Sequence, residues 1–488
     1  MKRIIAIYTV LLLGLASLWA TPNTLYFMEY LPYQSMMNPA LQPRCTSYVE
    51  LPAISTISLS GGTGGLSLND FLYVKDGQLV TCLHPEFGNK ESVYSKIMKS
   101  GGIDAEFDLS ILGFGFKVKE RGYLTINASV RANASVGLPS EIITLGMYGT
   151  PDTINVNSYK VDVPIAINAF LDLSGGYSHK INDQWTVGGR LHLLYGLLNA
   201  RLKSDDLSLN LSQQEWVLSG NIRGNLSVPG IGLATDESGK VSGIKTSTGI
   251  NDFFKSLDCS FGASVDLGAF YKPIPELKIS LSIKDLGFIV WKTNATQVEG
   301  SINYKYQGLE YNAKDQTIST ENIVPEASFY AKNSSYTTLM NGKIYAGVEY
   351  SFLKNMMSVG LLSKTSYNYN HWAEEVTLGY NLRPCSWFGL SASYSFVSGG
   401  FSTLGLGLNL RLPPFSFYVV SDYTPLNFSA SGIPYKMSAF NVQAGLVLTF
   451  GCKKKKPVEE PILEEVLPEP IKIEEVEPAP AEFATPTE

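Results

Sequence analysis

Residues 124–136 read Leu124-Thr125-Ile126-Asn127-Ala128-Ser129-Val130-Arg131-Ala132-Asn133-Ala134-Ser135-Val136. Every even position is apolar and every odd position is polar. Successive side chains of an extended strand point to opposite faces, so this stretch is a strand with one greasy and one wet face. It is longer than the usual strand of a soluble protein and long enough to cross a bilayer at a tilt.

The pattern recurs. From Leu257 to Tyr271, residues Asp258, Ser260, Ser264 and Asp266 fall on the polar side. Leu404, Leu406, Leu408 and Leu410 alternate with Gly405, Gly407, Asn409 and Arg411. The last such run sets Phe440, Val442, Ala444, Leu446, Leu448 and Phe450 against Asn441, Gln443 and Thr449. Strands are predicted near residues 48–60, 105–118, 121–137, 163–179, 184–203, 257–272, 276–291, 343–353, 356–368, 372–383, 386–397, 402–412, 414–422 and 439–450. That is about 14 strands, the first being the least regular.

Short connections, such as 119–120, 180–183, 273–275 and 354–355, alternate with long ones at 61–104, 138–162, 204–256, 292–342 and 423–438. Outer-membrane barrels have short periplasmic turns and longer external loops, and an even strand number brings both ends to the periplasm. Tyr123, Trp185, Tyr271, Trp387, Phe415 and Phe450 flank the short-turn side, and Trp291, Tyr367, Tyr369 and Trp372 the other, where two aromatic girdles are expected. The fold class is therefore all-β: a transmembrane antiparallel barrel over 48–450. The competing reading is a large soluble sandwich or propeller, but no blade-length repeat is visible.

Composition agrees. Among 488 residues, Gly (44), Tyr (27) and Phe (23) are abundant, and only 17% are charged. The net charge of -6 is concentrated in the tail, leaving no basic field for nucleic acid. Residues 1–20 read as a secretory signal. Lys2 and Arg3 precede an apolar run from Ile4 to Leu15, and small residues lead to a cleavage point after Ala20. No later run is apolar enough for a transmembrane helix, and without one only a closed sheet can span hydrocarbon. Residues 451–488, rich in Glu and Pro, cannot build a core. They read as a disordered periplasmic tail, or as a strap for a periplasmic protein or peptidoglycan-associated partner. Cys45, Cys82, Cys259, Cys385 and Cys452 show no metal-type spacing. A Cys45–Cys82 disulfide is one candidate pairing, and Cys259 reads as a small apolar strand residue.

Ahead of the first strand stand Tyr26-Phe27-Met28-Glu29-Tyr30-Leu31-Pro32 and then Met36-Met37-Asn38-Pro39-Ala40-Leu41. The Asn38-Pro39-Ala40 triplet resembles the start of the long-chain fatty-acid transporter barrels of FadL type. It is also similar to the PorV and PorP barrels of the type IX secretion system, and to a further outer-membrane family within that broad group. The resemblance implies a 14-stranded barrel whose N-terminal segment, here 21–47, enters the lumen as a plug. From the residues alone the segment reads as a plug or as a periplasmic lead-in. Pro39 fixes a bend, and Asn38 can bond nearby backbone.

Catalytic motifs are absent: no G-x-S-x-G, P-loop, H-E-x-x-H or Cys-x-x-Cys occurs. No cofactor or metal is predicted. Strand parity turns Arg131, Arg190, Lys278, Lys284, Arg383 and Arg411 inward with Asp172, Asp258, Asp266, Glu349 and Glu375. Such near-balance suggests salt-bridged networks in a narrow or plugged lumen rather than an ion-selective pore. His192 shares the inward face and is the one residue that a barrel enzyme could use, although a place in the polar network is the stronger reading. The partners expected are outer-membrane lipid and a hydrophobic ligand. The functions left open are a hydrophobic-molecule transporter, a non-transporting scaffold and, last, a barrel hydrolase.

Overall fold

The computed structural model describes residues 22–452, apart from residue 30 and the stretches 53–54, 76–77, 101, 151–156, 247–259, 293, 308–309, 313–316, 320–322, 369–370, 399–400 and 424–437. The signal (1–20), the tail (453–488), Asp258, Cys259 and Tyr369 therefore lie outside the described residues.

Strand β1 comes in two halves, Ser47–Glu50 and Ile57–Gly62. It is followed by β2 (Gly102–Val118), β3 (Gly122–Gly137), β4 (Ile165–Lys180), β5 (Trp185–Leu211), β6 (Phe261–Ile274) and β7 (Leu277–Trp291). Then come β8 (Lys343–Phe352), β9 (Met357–Asn368), β10 (His371–Leu382), β11 (Phe388–Val397), β12 (Phe401–Leu412), β13 (Phe415–Ser421) and β14 (Ala439–Phe450). Each strand pairs antiparallel with the next, and β1 pairs with both β14 and β2: Ser47 faces Phe450 on one side and Phe116 on the other. The sheet is thus a closed barrel of 14 strand positions. Closure removes the unpaired edge that hydrocarbon does not tolerate.

The wall is inside out relative to a soluble protein. On β8, Lys343 and Glu349 are 5% and 6% exposed, while Val348 and Tyr350 on either side of Glu349 are 44% and 51% exposed. Leu173, Leu191, Leu193, Phe261, Leu267, Leu361 and Leu378 are likewise exposed. Asp172, Ser174, Arg190, His192, Ser264 and Asp266 are buried. Apolar groups outside and polar groups inside are what one face in lipid requires.

Three expectations need correction. First, β1 is interrupted at 51–56, where Pro52 has no N–H to give to a ladder. The chain rejoins the wall at Thr56, whose carbonyl accepts Ser110 N at 2.9 Å. Second, Tyr123 and Trp291 belong to no girdle. Tyr123 is buried and stacks on Tyr48, with centroids 6.4 Å apart, and Trp291 is fully buried and donates to Thr338 Oγ1 at 2.8 Å. Trp291 turns inward because Asp285, at φ 58°, sits at a register shift in β7 that reverses the parity of the strand's second half. Third, the stretches 204–256 and 292–342 are not simple loops. β5 runs 27 residues, and its far half pairs with Trp216–Ser227, which pairs with Thr296–Tyr306, which pairs with Ile323–Asn333. This sheet stands at the long-connection end of the barrel. Nearby, the helices Lys90–Ser100 and Ser140–Tyr148 close over Leu66, Cys82, Val93 and Ile97.

Cys45 is bonded to Cys452, not to Cys82. Cys82 is free and buried, and burial pushes its thiol up from the ordinary value.

The wall and its disulfide can each be probed. Leu193→Arg, on the lipid face, should destabilise the barrel by about 2–4 kcal/mol in bilayer unfolding titrations, while a polar substitution at a lumen position should cost less. Alkylation of unfolded protein should modify Cys45 and Cys452 only after reduction, whereas Cys82 should react without reductant once unfolded and slowly when folded.

Candidate functional site: the plugged lumen

The described residues from Pro22 to Ala40 are mostly buried against inward-facing residues of the barrel wall. A short 3-10 turn, Asn23–Phe27, sits partway up the lumen. The chain then descends to Glu29 near the short-turn end, climbs through a short helix at Gln34–Met37 and returns to Cys45. Leu25, Tyr26, Phe27, Met28, Leu31, Tyr33 and Met37 form one apolar cluster with Tyr345, Leu362, Tyr418 and Val420 of the wall. The rings of Tyr26 and Tyr345 stack at 5.9 Å.

The wall makes room for this segment with inward glycines. Gly188 of β5 and Gly268 of β6 are register partners. A Cβ on Gly188 would strike the backbone of Pro39 and Ala40, and one on Gly268 would strike the Asn38 side chain. The Asn38-Pro39-Ala40 triplet thus rests against a backbone that only glycine can bring this close. Asn38 is fully buried. Its Oδ1 accepts Ala40 N at 2.9 Å, and its Nδ2 donates to Tyr26 Oη at 3.2 Å and Leu281 O at 3.3 Å. The side chain therefore ties the bend to the wall and to the aromatic cluster. Gly360 leaves space for the Phe27 ring, and Gly407 for Met28 Sδ.

The charges expected inside fall into separate groups. Near the short turns, Glu29 meets Arg44 at 2.6 Å, Arg383 at 2.9 Å and Lys278, while Lys278 and Arg383 also hold Glu349 at 2.9 and 3.1 Å. Strand parity does not reveal Glu29, because it belongs to the plug rather than to a strand. At mid-lumen, Arg131 lies 3.1 Å from Asp172 and forks onto Asp285 at 2.7 and 2.8 Å. The register shift that turns Trp291 inward also hides Asp285 from parity. Arg190 donates to Ser35 O at 3.2 Å, Thr125 Oγ1 at 3.2 Å and Ser174 Oγ at 3.3 Å, so it binds plug to wall. Glu375 sits apart, 3.6 Å from Lys364, and Arg411 donates to Ser386 O.

His192 lies between two carboxylates, Nδ1 2.9 Å from Asp172 and Nε2 3.1 Å from Asp266. Through Nδ1, His192 joins Asp172, which Arg131 also holds, so it is one member of the mid-lumen group of charges.

One cleft of about 310 Å³ opens at the short-turn end between plug and wall. Tyr26, Phe27, Leu41 and Phe270 form its apolar side, and Glu29, Arg44, Lys180, Asp183, Lys272 and Lys278 its charged side. On the other side of the plug, two cavities of about 40 and 30 Å³ next to Tyr33 are lined mostly by polar side chains, including Asp108, Arg131 and Lys284. Among the described residues no cluster of His, Cys, Asp and Glu could hold a metal.

A family model described as a family of unknown function, DUF5723, matches residues 39–422. No curated protein matches the chain. Among solved structures it is similar to the toluene transporter TbuX of Ralstonia pickettii, at 10% identity and TM-score 0.39, over 86% of this chain and 94% of that one. It is similar to a FadL homologue of Pseudomonas aeruginosa at 11% identity and TM-score 0.41, over 90% and 100%. A third likeness is to the toluene transporter TodX of P. putida, at 10% identity and TM-score 0.37, over 90% and 96%.

Gly188→Leu should dislodge the Asn38-Pro39-Ala40 bend and speed amide exchange of residues 34–42 at least about tenfold, with the barrel strands unchanged. Equal protection in wild type and variant would show that the bend does not rest there.

Proposed function

The chain belongs to the DUF5723 family, and we propose that it is an outer-membrane barrel that admits or binds a small hydrophobic molecule at its N-terminal plug. One observation carries the reading. In a lumen lined mainly by polar groups, the large apolar cluster lies where plug meets wall, and the cleft of about 310 Å³ reaches it at Tyr26 and Phe27. That volume is at the small end of ligand sites, which are mostly apolar with a few polar groups to orient the guest. Here the apolar wall would take a hydrocarbon part and the charged rim a polar end. The short turns face the periplasm in this reading, with both barrel ends there.

The plug is held by groups that can let go. Its contacts are apolar packing, hydrogen bonds and ion pairs, and the covalent tie at Cys45 lies at its base. A guest that displaced Phe27 and Tyr26 from their seats would open the way past them.

The test is uptake of a labelled fatty acid into cells that depend on this barrel for it. Deleting residues 21–47 or replacing Pro39 should lower uptake. Tyr26→Ala and Phe27→Ala should each weaken ligand binding to purified protein by about 1–2 kcal/mol, roughly tenfold. Uptake that is the same with and without the protein removes the transport reading. It would leave the second one, a non-transporting scaffold whose acidic tail engages a periplasmic partner.

A further inference from the structure

A line of small polar spaces runs along one side of the plug. The uppermost, of about 40 Å³, is lined by Ser60 and Lys343 and reaches the half-buried Met340 and Asn341 at the long-connection end. The next, of about 30 Å³, lies among Ser129, Asp172 and Ser174. Tyr33, Asp108, Arg131 and Lys284 line both, so the two spaces meet at these side chains. A third, of about 10 Å³, lies between Ser35 and Pro39 of the plug and Tyr123, Thr125 and Ser178 of the wall. Arg190 lines the second and the third, and Pro43 lines the third and the cleft at the short-turn end. The spaces therefore follow one another from one end of the lumen to the other.

Each space is lined by a residue with a buried polar atom that has no hydrogen-bond partner among the described residues. These atoms are Ser60 Oγ in the first, Arg190 Nε in the second and Tyr123 Oη in the third. The three residues are 1%, 2% and 2% exposed. Buried polar groups are seldom left unmet, and a space of about 10–15 Å³ with polar walls is enough to hold one water. The smallest space has room for one, and the larger two for more.

We propose that these spaces hold a file of waters, and that the plugged barrel passes water along it while excluding ions. Charge sets the selectivity. At the narrowest space Arg190 donates to Ser35 O, Thr125 Oγ1 and Ser174 Oγ, and among the described residues no carboxylate pairs with it. A cation would meet that fixed charge where there is no room for its hydration shell. An anion would meet Asp108 and Asp172 in the space above. Water is neutral and both donates and accepts, so neither group stops it. The file runs on the polar side of the plug and stands whether or not the barrel admits a hydrophobic guest.

The test is osmotic shrinkage of lipid vesicles carrying the full-length protein, followed by light scattering. They should shrink at least about twofold faster than protein-free vesicles of the same lipid, and with a weaker temperature dependence. Potassium and proton leak should not rise above that of the bare vesicles. Ser129→Val and Ser60→Val each put methyl groups into one space. Each should return shrinkage to the rate of bare lipid, while the heat-dependent gel shift of a folded barrel persists. Ser391→Val, on β11 away from the file, should shrink like wild type. If one of the two blocking variants does not fold, the other decides. Equal shrinkage with and without the protein would overturn the file. So would flow that persists in the folded blocking variants, or a potassium leak that accompanies the water.

Discussion

The structure depends on one pairing: the short, broken β1 must be held by β14 on one side and β2 on the other. In hydrocarbon a strand edge has no water to satisfy its N–H and C=O groups, so the sheet either closes or does not insert. Ser47–Glu50 and Ile57–Gly62 supply that closure despite the interruption at Pro52. Once the ring is shut, each strand has a lipid side and a lumen side, and the alternation of the whole chain is its imprint. The Cys45–Cys452 bond sits just beside the seam and ties the base of the plug to the end of β14.

A ring of this size encloses more space than wall side chains usually fill. The chain fills it with its own N-terminal residues, and it does so through absence as much as contact. Inward glycines at 188, 268, 360 and 407 remove side chains where the plug approaches most closely. Around these seats lie two kinds of fastening. Apolar groups pack in the middle, while Glu29 below and Arg190 beside the helix at Gln34–Met37 make charged and polar ties.

The barrel strands are legible in the sequence because oil on one side and water on the other impose a period of two that few other folds sustain over such lengths. What is not legible has physical causes. A single register shift at Asp285 reverses parity, which no alternation pattern announces in advance, and so parity assigns Trp291 to the wrong face and passes over Asp285. The strands Trp216–Ser227 and Thr296–Tyr306 of the additional sheet lack the clean two-sided pattern, so alternation does not announce them. The Asn38-Pro39-Ala40 bend is visible in the sequence, but its partners are not. Gly188 and Gly268 stand at inward positions where parity would place a polar side chain, and that gap is the available clue.

β5 has a consequence of its own. It is continuous from Trp185, at the short turns, through Arg190 and His192 in the lumen, to Leu211 in the outer sheet. One strand therefore joins the sheet at the long-connection end to Arg190, which donates to Ser35 of the N-terminal segment. A change of register anywhere along this strand would therefore move Arg190 and the long-connection sheet together, with no loop between them.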